Sequence, residues 1–147
     1  MNPSLDVIVT RPAPQDDAQA ERLRQLVIKS GGHPIEVRTL AEAVTALRQS
    51  AQPLVLLSEQ FDGSSALELI GLLRQCNKQA KIILLADTDN VSFLRQARSA
   101  GIFYHALEPR SEEDAQELLL ALDSAAELCR EQQQERRLWH RVADALS

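Results

Sequence analysis

Leu54 to Arg74 reads LVLLSEQFDGSSALELIGLLR, and a change of period inside it decides the fold. Leu54 to Leu57 is an apolar run without polar alternation, preceded by Pro53 and followed by Ser58 and Glu59. Such a run suits a strand buried on both faces. Asp62, Gly63, Ser64 and Ser65 follow as turn and helix-start residues, because short polar side chains and glycine can satisfy or bend the backbone locally. Leu67, Ile70 and Leu73 then recur at helical spacing up to about Asn77. Strand, loop and helix in that order form one half of a parallel crossover unit.

The same grammar extends in both directions. Toward the amino end, Leu5 to Thr10 (LDVIVT) is a short β-branched run halted by Arg11, Pro12, Ala13 and Pro14. Asp16 or Asp17 is placed to cap a helix through Lys29, with Ala20, Leu23, Leu26 and Val27 on one face and Gly31 and Gly32 as its stop. His33 to Val37 reads as a second strand, and Thr39 caps a helix with Ala43, Val44 and Leu47 inward before Pro53. Toward the carboxyl end, Ile82 to Leu85 is a fourth strand. A helix through Val91, Leu94 and Ala97 stops at Gly101, and Phe103 to Leu107 is a fifth strand before Pro109. Five non-alternating strands separated by crossover helices predict an α/β fold, a doubly wound five-stranded parallel sheet. In such sheets a site lies beyond the carboxyl ends of the strands. The residues to interrogate are therefore Thr10, Arg11, Ser58, Ala86, Asp87 and Glu108.

Composition narrows the function classes. A chain of 147 residues, 44% apolar, can bury one core without disulfide or metal support. Cys76 and Cys129 have no second Cys or His at zinc-ligand spacing, so no metal site is expected and both cysteines read as small apolar residues of a reducing, cytoplasmic compartment. No apolar run approaches the ~18 residues of a membrane span, and Met1 to Leu5 is too short and uncharged to open a signal peptide. A formal charge of −5 and 3% aromatics argue against a direct nucleic-acid surface. Gly is 5 of 147 and no Gly-rich phosphate loop follows any strand, so no cofactor is expected. His33, His105 and His140 are scattered and read as ordinary imidazoles, and Glu59, Asp62, Asp87 and Asp89 as loop and cap acids.

Ser111-Glu112-Glu113-Asp114 places a hydroxyl cap and acids in the first turn of a last helix, and no Gly or Pro interrupts the chain after it. Ser111 to Ser147 as a helix measures ~55 Å, more than a five-stranded sheet can cover. The sequence therefore divides into a domain over 1–125 and an extended C-terminal helix over 126–147. Leu118, Leu122, Ala125, Cys129, Gln132, Arg136, Trp139, Ala143 and Leu146 recur at alternating steps of four and three, the spacing of a coiled-coil seam. A homodimer through that helix is expected, with a linker to a fused output module as the alternative.

From Leu54 onward the chain resembles the receiver domains of bacterial two-component response regulators. LVLLSEQFDGSSALELIGLLR lies without a gap on that family's stretch from strand three through helix three, with Leu67, Glu68, Leu69, Ile70 and Arg74 where its pattern expects them. IILLAD resembles the strand-four motif, AGIFYHALEP the Ala-Gly to Lys-Pro segment, and VIVTR the first strand. The resemblance spans roughly residues 5 to 125. It implies that Ser58 stands at the phospho-acceptor Asp, Ala86 at the Thr or Ser of strand four, Glu108 at the Lys, and Thr10 and Arg11 at a pair of metal-binding acids.

Phosphoryl transfer to a carboxylate needs a nucleophile, a Mg²⁺ held by acidic oxygens, and cations around the developing charge. Ser58 is a weak nucleophile without a base beside it in sequence, Arg11 puts a fixed positive charge where the metal would enter, and Glu108 reverses the charge of the Lys. The expectation is a degenerate receiver that is no enzyme, accepts no phosphate and acts through protein partners, with Arg11 and Glu108 paired across the pocket. Two alternatives stand beside it. VTRPAPQDDAQAERLRQL is similar to the start of uroporphyrinogen-III synthases, over less than a quarter of the chain, and the fold type also admits a small-molecule binder.

Overall fold

Alternation along the strands explains how two layers of helix find the sheet. The computed structural model describes residues 5–11 and 17–146. The expected prolines at 12 and 14 and the Asp16 cap lie outside them. Strands β1 (Asp6–Thr10), β2 (His33–Val37), β3 (Leu54–Ser58), β6 (Lys81–Leu85) and β7 (Tyr104–Ala106) form one parallel sheet in the order β2-β1-β3-β6-β7. Two-residue strands β4 (Gln60–Phe61) and β5 (Ser64–Ser65) make a small antiparallel hairpin after β3. Ile8, Val55, Leu57, Ile82 and Leu84 face one side, against helices α2 (Leu40–Gln49), α3 (Ala66–Cys76) and α4 (Val91–Ala100). Val7, Val9, Leu54, Leu56, Ile83 and Leu85 face the other, against α1 (Asp17–Lys29) and α5 (Glu112–Leu146). Both faces of β3 are therefore buried, which is why its sequence shows no alternation.

The sequence places the elements to within a residue or two, and the caps account for most of their ends. Thr39 accepts the Glu42 N–H at 3.2 Å to start α2, Ser65 the Leu67 N–H at 3.3 Å to start α3, and Ser111 the Asp114 N–H at 3.1 Å to start α5. Gly101 ends α4 at φ 105°, in the left-handed region where only glycine is unstrained. The fifth strand is shorter than the expected Phe103–Leu107, and Val91, the first residue of α4, lies 64% exposed. In α2, Ala46 is buried and Val44 only partly so.

Helix α5 runs 35 residues, about 52 Å at the standard rise. No helix is long and apolar enough to cross a membrane among the described residues. The expected coiled-coil seam divides in two. Leu118, Leu122, Ala125 and Cys129 are buried in this chain's own core against α1 and the sheet, so they cannot also form a dimer seam, whereas Trp139, Ala143 and Leu146 are exposed. The division expected between 125 and 126 has no counterpart in the packing, because Ala126 and Cys129 are still buried. The helix is then clasped at the base of the sheet. Gln132 Oε1 accepts from Gln52 Nε2 at 3.3 Å and from Lys81 Nζ at 3.2 Å, and the Arg136 guanidinium bonds the Gln79 side chain. Beyond Arg136 every described residue of α5 is exposed.

Candidate functional site at the strand ends

Parallel pairing brings the carboxyl ends of β1, β3, β6 and β7 to one edge, and the expected residues gather there. Thr10 and Ser58, the last residues of β1 and β3, are both almost fully buried. The Thr10 hydroxyl donates to the Leu56 carbonyl at 2.9 Å and accepts the Ser58 backbone N–H at 3.0 Å, and the two hydroxyl oxygens lie 3.4 Å apart. In effect the pair crosslinks β1 to β3 at the strand ends. Among the described residues the side chain hydrogen-bonded to Ser58 is a hydroxyl rather than a base, and a hydroxyl does not activate a serine as a nucleophile.

Ala86 and His105 form the next contact. His105 Nε2 lies 2.8 Å from the Ala86 carbonyl, which can only accept, so Nε2 carries the proton. Nothing near His105 in the sequence signals this partner, which lies 19 residues away in the chain. The Ala86 N–H itself donates to the Ala106 carbonyl at 3.1 Å, extending the ladder past the end of β6.

The charged groups pair differently from expectation. Arg11 lies 3.8 Å from Glu36 on the neighbouring strand β2, rather than on Glu108. The reason is register: Val9 sits opposite Glu36 and Thr10 opposite Val37, and the Arg11 N–H donates to the Val37 carbonyl at 2.9 Å, which holds Arg11 at the β2 edge. Glu108 instead accepts from Gln19 of α1 at 3.0 Å, and its backbone N–H donates to Asp87 at 3.0 Å. Asp87 in turn pairs with Arg110, and Arg22 of α1 donates to the Pro109 carbonyl at 2.6 Å. Burial pushes the Glu108 carboxyl above its ordinary range, and the Gln19 hydrogen bond opposes that shift only in part.

Of the acids near the strand ends, Asp62 and Asp87 accept backbone N–H groups. Asp62 adopts φ 49° and accepts the Leu40 N–H at 2.8 Å, adding a second cap to α2. Among the described residues no group of three or more His, Cys, Asp or Glu side chains is placed to hold a metal ion.

No protein-family model matches the sequence, and no curated protein does. Solved structures do match. The signal receiver domain of an HD domain-containing protein from Pseudomonas fluorescens superposes with a TM-score of 0.74 at 22% identity, covering 93% of this chain and 95% of that one. The chain has a receiver fold. A response regulator from Thermotoga maritima matches with a TM-score of 0.67 at 21% identity, over 82% of this chain and 98% of that one. A response regulator from Burkholderia pseudomallei, solved with a phosphorylated aspartic acid, a calcium ion and citrate, matches at 0.66 and 19% identity, over 90% and 75%. At such identities the likeness carries the receiver fold and leaves the chemistry of the strand ends to the residues themselves. Among the described residues there is one five-stranded sheet, whereas the synthase alternative needs two α/β domains and a cleft between them.

Proposed function

We propose that this chain is a receiver-fold signalling module of the two-component type that accepts no phosphoryl group and acts by binding proteins. The observation that carries the reading is the Thr10–Ser58 couple, two buried hydroxyls bonded to each other and to backbone at the position the resemblance assigns to the acceptor carboxylate. Arg11, whose guanidinium lies 3.8 Å from Glu36 on β2, leaves no carboxylate at the position that the resemblance assigns to a metal ligand. Glu108, bonded to Gln19, supplies an acid where phosphoryl oxygens would need a cation. A module with no switchable charge in its pocket takes its input from a partner, which shifts the population of states by binding one of them better.

The test is incubation of the chain with beryllofluoride or acetyl phosphate in the presence of Mg²⁺, followed by amide NMR and intact mass. Unchanged resonances at Thr10, Ser58, Ala86 and Glu108 and an unchanged mass are expected. A Mg²⁺-dependent adduct, or binding of flavin or turnover of a tetrapyrrole precursor, overturns the reading.

A further inference from the structure

We infer that the polar junction of Gln52, Gln132 and Lys81 at the base of the sheet is a directional joint: it fixes the angle at which α5 leaves the domain, and it does so at a cost in stability. The junction lies at the opposite edge of the sheet from the strand-end site, and the inference stands without the functional reading given above.

Helix α5 is held in two different ways along its length. Through Leu118, Leu122, Ala125 and Cys129 it is packed in the core against α1 and the sheet. Apolar packing of that kind is non-directional. The contacts that follow are polar and come from three separate elements. Gln52 Nε2, from the loop before β3, and Lys81 Nζ, from the first residue of β6, both donate to Gln132 Oε1, at 3.3 and 3.2 Å. One turn later Arg136 bonds Gln79, from the loop after α3. Asn77 staples the two loops together. Its amide nitrogen donates to the Leu47 and Ser50 carbonyls, each at 2.8 Å, and its side-chain oxygen accepts the Gln79 N–H at 2.9 Å. Bonds at two successive turns against a braced base fix the line of the helix, because a hydrogen bond weakens steeply as its angle departs from linear.

The cost falls on Gln52. It is 3% exposed, a polar side chain where an apolar one of similar volume could be buried. Its Nε2 is bonded, but among the described residues its Oε1 is buried with no hydrogen-bond partner. A buried acceptor in that state is unfavourable, whereas apolar groups of the same shape at both positions of a pair are nearly neutral or stabilising. The amide pair therefore contributes orientation, and an apolar pair would contribute at least as much stability.

Spin labels on Gln49→Cys and Ala143→Cys, both at exposed positions, read the angle by double electron–electron resonance in the full chain. Cys76 is replaced by Ala for this purpose, and Cys129, fully buried, is left in place. Labelled chain is diluted with unlabelled chain, so that only distances within one molecule count. Ala143 lies eleven residues beyond Gln132. That is a lever of about 16 Å at the standard rise, so tilting of the helix shifts or broadens the distance distribution. Wild type should give one narrow distribution. Gln52→Leu combined with Gln132→Leu should broaden it, while the urea midpoint stays level or rises. Gln132→Glu, which keeps an acceptor for both donors, should leave it narrow. A double variant as narrow as wild type, a broad distribution for wild type or for Gln132→Glu, or a double-variant midpoint well below that of wild type overturns the proposal.

Discussion

The Thr10 hydroxyl lies 2.9 Å from the Leu56 carbonyl and 3.0 Å from the Ser58 backbone nitrogen, so one side chain of β1 satisfies both a buried acceptor and a buried donor of β3. Because hydroxyl and backbone groups are sealed from water there, the contact is structural before it is anything else. Replacing Thr10 by Val keeps the shape and leaves the buried Ser58 N–H without its partner. Thr10→Val is expected to cost about 1–3 kcal/mol in chemical denaturation, and Thr10→Ser much less. Equal losses for the two variants would mean that packing, not hydrogen bonding, holds the strand ends.

Ser58→Asp tests whether restoring one carboxylate restores chemistry. The new acid would be almost fully buried beside Thr10, with Arg11 held on Glu36 and Glu108 on Gln19. The expected outcome is a destabilised fold, because a buried carboxylate is costly when poorly paired, and no Mg²⁺-dependent mass increase with acetyl phosphate. Phosphorylation of the variant would show that Ser58 alone had blocked the reaction.

Glu108 sets a pH dependence whose sign is opposite to that of a salt-bridged acid. Burial raises its folded-state pKa above the ordinary 4.5, so between 4.5 and the raised value the folded chain holds more protons than the unfolded one. In that window stability falls as pH rises, and at neutral pH the ionised carboxylate is a net cost. Glu108→Gln, which retains a polar partner for Gln19, should therefore be more stable than wild type at pH 7, with the difference closing below pH 4.5. Urea midpoints measured from pH 4 to pH 8 check this, and a gap that widens in acid contradicts it.

The two faces of α5 should respond differently to truncation. Leu122 is fully buried, so Leu122→Ala is expected to cost about 2–5 kcal/mol, the range for a core leucine. Gln132→Leu leaves Gln52 Nε2 and Lys81 Nζ without their shared acceptor, and it should speed amide exchange from about residue 130 onward. Exchange unchanged by Gln132→Leu would show that apolar packing alone aims the helix.

Much of this protein was readable before any coordinate. The four-residue apolar run at Leu54 to Leu57, the helical period after it and the Thr39, Ser111 and Gly101 boundary residues are local signals, so strand order in the chain, helix caps and the doubly wound class followed from them. The positions at the strand ends were also legible, because a parallel sheet collects the carboxyl ends of its strands at one edge. Partners were not. Arg11 binds Glu36 because of the β1–β2 register, Glu108 meets Gln19 because α1 packs on α5 and on the segment that leads into it, and His105 reaches Ala86 across adjacent strands. Nor could the period of α5 say which leucines face the chain's own core. A heptad seam and a helix face docked on a sheet share the same spacing, and only the packing of α5 on α1 and the sheet assigned Leu118 to Cys129 to the core and left Leu138 to Leu146 outside.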